Sequence, residues 1–78
     1  MKTMVETISK MLVQQPEQVK VEEVAGNKTT IINLAVDPDD VGRIIGKNGR
    51  TIRALRVLLN AAAVRENKRV VLEIIENV

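Results

Sequence analysis

The first apolar residues of the chain, Met4, Val5, Ile8, Met11 and Leu12, fall three and four apart. That spacing lines one face of a helix and predicts an amphipathic helix over residues 4–13. The residue before a proline avoids the helical region, so Gln15-Pro16 closes it. Val19, Val21 and, less regularly, Val24 then alternate with polar residues, the rhythm of a half-buried strand. Gly26-Asn27 is a turn signal. Residues 29–36 are rich in β-branched side chains, and Ile32, Leu34 and Val36 share one face. A turn this short joins the two strands as a hairpin.

The texture changes at Asp37-Pro38-Asp39-Asp40. Proline at the first helical position and acids in the first turn begin a helix, predicted over residues 38–45. Gly46-Lys47-Asn48-Gly49 interrupts it, because two glycines and an asparagine in four residues do not form a stable helix interior. A further helix is predicted over 50–64, a turn at Asn67-Lys68 and a last strand over 70–75. The order α-β-β-α-α-β predicts an α+β fold, with three helices covering one face of a three-stranded mixed sheet. If the second and third strands are neighbours, they run parallel through a right-handed crossover. With 78 residues, a single domain over 1–78 is expected.

Composition narrows the chemistry. The chain has no cysteine, histidine, phenylalanine, tyrosine or tryptophan. It therefore lacks thiol nucleophiles, imidazole bases and thiolate or imidazole metal ligands. Glu22-Glu23 and Asp39-Asp40 are not catalytic pairs: neighbours on a strand face opposite ways, and acids suit a helix start. A non-enzyme without cofactor or metal is expected. No run approaches the ~18 apolar residues of a membrane span, and the start has no secretory pattern, so no membrane partner and a cytoplasmic location are expected.

The net charge of +2 conceals a strong asymmetry. Residues 1–40 carry four lysines and seven acids. Residues 41–56 carry Arg43, Lys47, Arg50, Arg53 and Arg56 with no acid, and residues 57–78 balance. The glycine loop lies inside this basic block. Unpaired amides at the start of the following helix, with Lys47 and Arg50, would attract an anion, and phosphate is the obvious one. The nucleotide-binding phosphate loop is excluded: three residues separate Gly42 from Gly46, and Asn48 follows Lys47 where Ser or Thr is needed. The dinucleotide fingerprint is excluded because the loop follows a helix and lacks its first glycine pair.

At Val41-Gly42-Arg43-Ile44-Ile45-Gly46-Lys47-Asn48-Gly49 the chain resembles the KH domain family, whose signature is helix–GxxG–helix with apolar residues before the loop. The element order is similar to the type II arrangement. The resemblance covers the whole chain, as in the small single-KH bacterial RNA-binding proteins of the KhpA-like group. It implies a clamp on the backbone of about four nucleotides of single-stranded RNA. Gly46 and Gly49 would allow close approach, Lys47 and Asn48 would meet phosphate or sugar, and Arg43 and Arg50 would add charge. Of Ile44 and Ile45, one would line the groove and the other enter the core. The opposite wall would come from the second strand around Ile32 to Leu34, with Asn33 either reading a base edge or standing as a surface residue. Bases would rest on aliphatic side chains, which removes the need for aromatic stacking. Arg53 and Arg56 either extend the phosphate track or are merely solvated, and Gly42 is either a packing glycine or a point of ligand approach.

The predicted last helix is apolar on nearly every side. Ile52, Leu55 and Leu59 form its core stripe, and Leu58 and Ala62 lie partly off it. A homodimer through Leu58, Leu59 and Ala62 is expected, and the resemblance adds a possible heterodimer with another KH-domain protein. Two linked sites would raise apparent affinity through effective concentration. The rival reading is an adaptor whose main work is protein–protein assembly.

Overall fold

The computed structural model describes residues 1–76. Along the chain run α1 (Lys2–Leu12), β1 (Lys20–Ala25), β2 (Thr29–Val36), α2 (Val41–Ile45), α3 (Arg50–Val64) and β3 (Arg69–Glu76). The sheet order is β1-β2-β3, with β1 antiparallel and β3 parallel to the central β2. This is the α+β architecture expected from the sequence.

Alternation in β2 sets the core. Thr30, Ile32, Leu34 and Val36 are buried, and the parallel register places Ile32 beside Leu72 and Thr30 beside Val70. Val5 of α1, Ile44 of α2 and Ile52, Leu55, Leu59 and Ala63 of α3 close over them. Because α2, the glycine loop and α3 form the crossover between the central strand and an edge strand, the loop is held by helices anchored on the same core.

The predicted bounds of α3 match, but three expectations shift. Residues 38–45 divide into a 3₁₀ turn, Pro38–Asp40, and the five-residue α2. The Asp37 carboxylate accepts the Asp39 amide at 2.9 Å, a local bond that favours the tighter turn. In α1 the core positions are Val5 and Ser9, whereas Met11 is 80% exposed. The Ser9 hydroxyl has no hydrogen-bond partner among the described residues. In β1, Val21 faces the core while Val24 is exposed, because three positions along a strand reverse the face.

The sheet face away from the helices is open. Val24, Ile31 and Val71 form an exposed row across all three strands, and Glu22, Asn33 and Glu73 form the next. Along the outer edge of β3, the Arg56 guanidinium donates to the Leu72 carbonyl at 3.2 Å. No helix among the described residues is long and apolar enough to cross a membrane.

Candidate functional site

The glycine loop is built from backbone conformations that side chains resist. Gly46 closes α2 by donating its amide to the Gly42 carbonyl at 2.9 Å, and sits at φ 76°, ψ 174°. That region is essentially reserved for glycine. A Cβ there would also collide with Thr51, meeting its Oγ1, its Cβ at 2.7 Å and its amide nitrogen at 2.9 Å. Lys47–Gly49 then make one 3₁₀ turn, with Asn48 at φ 57°, ψ 27° and Gly49 at φ 73°, ψ 16°. Both are left-handed, a conformation that asparagine tolerates better than most residues. At Gly49 the space is open, with Ile52 Cγ2 4.0 Å from an added Cβ.

This turn puts Lys47 and Asn48 on an exposed tip, with Arg50 exposed behind them. It also bonds the Gly49 amide to the Gly46 carbonyl at 3.1 Å and the Arg50 amide to the Lys47 carbonyl. These two amides are therefore turned inward, so Gly49 and Arg50 do not supply the unpaired donors expected at the start of α3. Lys47 and Arg50 supply side-chain charge at the loop, whereas Arg43 is paired with Asp40.

Ile44 is fully buried and Ile45 is 38% exposed, so Ile45 alone of the pair offers an aliphatic surface beside the loop. The expected wall at Ile32 is overturned: Ile32 is fully buried at the centre of the sheet. Asn33 lies one position on and so faces the open side of the sheet, where it lines a shallow cavity of about 480 Å³ with Lys20, Glu22 and Ile75. The strand along which α3 packs is β3, with the Arg56–Leu72 bond between them. Gly42 is exposed with nothing within 4 Å of an added Cβ, so it is not a packing glycine.

Two arginines of α3, Arg53 and Arg56, are neither free nor simply solvated. Arg53 donates from Nη2 to the Asn48 carbonyl at 2.6 Å and from Nε to the Gly49 carbonyl at 3.3 Å. Arg56 holds the edge of β3 as described. Neither bond is legible from residue spacing alone.

Asp40 does more than the helix-start acid that its place in the sequence suggests. It is 2% exposed and accepts the Gln14 and Gln15 amides at 3.1 Å each and Arg43 Nε at 3.1 Å. One carboxylate thus ties the exit of α1 to the start of α2 and orients Arg43, whose side chain stays partly exposed. The available signal was the three-residue spacing of Asp40 and Arg43. Burial pushes the Asp40 pKa up, and the two amides and Arg43 outweigh it, holding it below the ordinary carboxylate range. A carboxylate depressed in the fold stabilises it above the unfolded pKa and loses that contribution as pH falls through the folded value. Thermal melts are expected to show stability declining below about pH 3.8. Asp40→Asn is expected to lower stability at neutral pH and flatten this acid limb. An unchanged acid limb in that variant would remove Asp40 as its source.

On α3, residues at about 100° per step place Leu55, Leu58, Ala54, Ala61, Val57 and Val64 on one broad arc, with Arg53, Arg56 and Asn60 on the remaining strip. Leu58 is 53% exposed, and Val57 and Val64 more so. Leu59, expected at an interface, is fully buried in the core, and Ala62 is half-buried. Between α1 and α3 a mostly apolar groove of about 350 Å³ is lined by Ile8, Leu12, Ala54, Leu55 and Leu58 together with Arg50 and Thr51.

A model of the family described as KhpA/KhpB, KH domain, matches residues 2–74. The chain is 53% identical over 75 residues to the RNA-binding protein KhpA of Clostridium acetobutylicum, covering 96% of this chain and all of the relative. It is 52% identical over 75 residues to the RNA-binding protein KhpA of Clostridium perfringens, with the same coverage. Over 76 residues it is 49% identical to the RNA-binding protein KhpA of Aquifex aeolicus, covering 97% of this chain and 96% of the relative. No solved structure matches the chain significantly.

Proposed function

The chain belongs to the KhpA/KhpB family of KH domains, and from that membership we propose that it binds single-stranded RNA by clamping the backbone with residues 46–49. The observation that carries this reading is the loop itself: two residues in glycine-favoured conformations bracket an exposed Lys47-Asn48 tip, with Arg43 and Arg50 alongside. A ligand backbone finds open space where Gly49 lacks a Cβ and meets the positive charge of the tip. Ile45 supplies an aliphatic contact for a base, in a chain without aromatic rings for stacking. The resulting role is sequence-tolerant RNA binding in post-transcriptional regulation or RNA chaperoning in the cytoplasm, without catalysis.

The reading is tested by titrating a labelled single-stranded oligoribonucleotide at several salt concentrations. Each neutralised phosphate of a single strand contributes a slope of about −0.7 in log affinity against log salt. Contact with two to four phosphates therefore gives a slope between about −1.4 and −2.8. A slope near zero, or equal affinity for duplex RNA, would refute the clamp.

The α3 arc and its groove favour a homodimer, with a heterodimer with another KH-domain protein as a variant of the same contact. Leu58, projecting from the rim of the groove, is its centre, with Ala62 beside it. Sedimentation at tens of micromolar is expected to show a dimer that Leu58→Glu converts to a folded monomer. A monomeric parent protein would sink the homodimer. If Leu58→Glu abolished cellular function while replacing Lys47 and Asn48 with aspartate did not, the adaptor reading would replace the RNA-binding one.

A further inference from the structure

We propose that Arg53 is a positioning residue for the loop, fixing its shape and masking its carbonyls, and is not itself a phosphate ligand. The inference rests on the reading of residues 46–49 as an RNA clamp. Arg53 stands one helical turn beyond the loop, on an α3 anchored in the core by Ile52 and Leu55. Its Nη2 and Nε form one edge of a planar fork, and that edge spans two consecutive carbonyls, those of Asn48 and Gly49. These are the two consecutive left-handed residues of the turn. Arg53 is otherwise exposed, so the bonds are not imposed by burial.

Two consequences follow from this geometry. The reversed backbone is tied to a rigid element, which reduces the ordering the loop must undergo when it closes on a ligand. The carbonyl oxygens also carry partial negative charge beside a site meant for phosphate, and the guanidinium compensates both. A lysine has the charge but lacks the flat two-donor edge, so it cannot hold both oxygens in the same geometry. Arg53 thus differs in kind from Lys47 and Arg50, whose side chains make no bond to the loop backbone among the described residues.

The test uses the full chain with Arg53→Gln and Arg53→Lys, each checked for native circular dichroism. One arm needs no RNA: amide exchange by NMR at Gly49 and Arg50, whose N–H groups close the 3₁₀ turn. Exchange at both is expected to quicken in both variants. The second arm titrates a fluorescent oligouridylate against salt. Arg53→Gln is expected to lower affinity by about three- to tenfold with an unchanged salt slope, and Arg53→Lys to recover only part of it. Unchanged exchange in Arg53→Gln would overturn the proposal. So would a slope reduced in magnitude by about 0.7 together with full rescue by lysine, since that marks a direct phosphate contact. If the parent protein bound no oligouridylate, the clamp reading would fail, and the exchange arm alone would decide whether Arg53 braces the loop.

Discussion

Replacing Lys47 and Asn48 together with aspartate is expected to lower affinity for single-stranded RNA by about a hundredfold or more while leaving the fold intact. A hydrogen bond to a charged group contributes about 1.5–3 kcal/mol, so losing the Lys47 contact alone costs about ten- to a hundredfold. Two carboxylates at the same tip then add repulsion against phosphate. The fold is expected to survive because both side chains are exposed and make no contact with the core. Aspartate, like asparagine, tolerates the left-handed conformation at position 48. The measurement pairs an RNA titration with a thermal melt. Undiminished affinity in a folded double variant would remove the loop from the RNA site.

The largest effect on stability is expected at Gly46. A side chain in its backbone region costs about 1–3 kcal/mol before any contact is considered. Forcing a Cβ into Thr51 adds about 1–3 kcal/mol more, because its Cβ at 2.7 Å and amide nitrogen at 2.9 Å belong to a rigid helical turn. A domain of this size has about 4–12 kcal/mol of total stability, so Gly46→Ala removes a large fraction of it. At about 4–8 °C per kcal/mol, the midpoint is expected to fall by roughly 10 °C or more. Gly49→Asn serves as the control. Its conformation is ordinary left-handed and its surroundings are open, so it is expected to cost about 1 kcal/mol or less. Equal losses at the two positions would show that the loop is less rigid than its geometry implies. The expected unequal losses would instead mark different roles for the two glycines of one motif, with Gly46 required by the fold and Gly49 leaving room for the ligand.

Most of the architecture was readable from periodicity. The alternation of Ile32, Leu34 and Val36 defined the buried face of β2, the glycine loop and the Asn67-Lys68 turn bracketed α3, and apolar spacing gave its Ile52–Leu55–Leu59 stripe. Failures occurred where a polar residue does an apolar job or a local bond competes with a helix. Ser9 occupies the core of α1 without a hydrophobic signature, and the Asp37 carboxylate turns a predicted helix start into a 3₁₀ turn.

The loop was legible because glycine pairs and charge are written in the sequence. Its surroundings were not, because they depend on which strand adjoins which helix. The expectation of a wall at Ile32 treated β2 as accessible from the helical side, whereas its central place in the sheet buries it. Asp40 and Arg53 escaped for a related reason. Each acts through bonds to backbone groups, and backbone donors and acceptors leave no trace in residue identity.

The bond from Arg56 to Leu72 bears on solubility. β3 is an edge strand, and its exposed face carries Val71 and Ile75. Such an edge is a template on which another chain can polymerise strand by strand. A guanidinium lodged on the Leu72 carbonyl occupies an acceptor that an incoming strand would need. It also places a charged, hydrated group across the line of growth. Arg56 is therefore placed to hinder edge-to-edge pairing along β3.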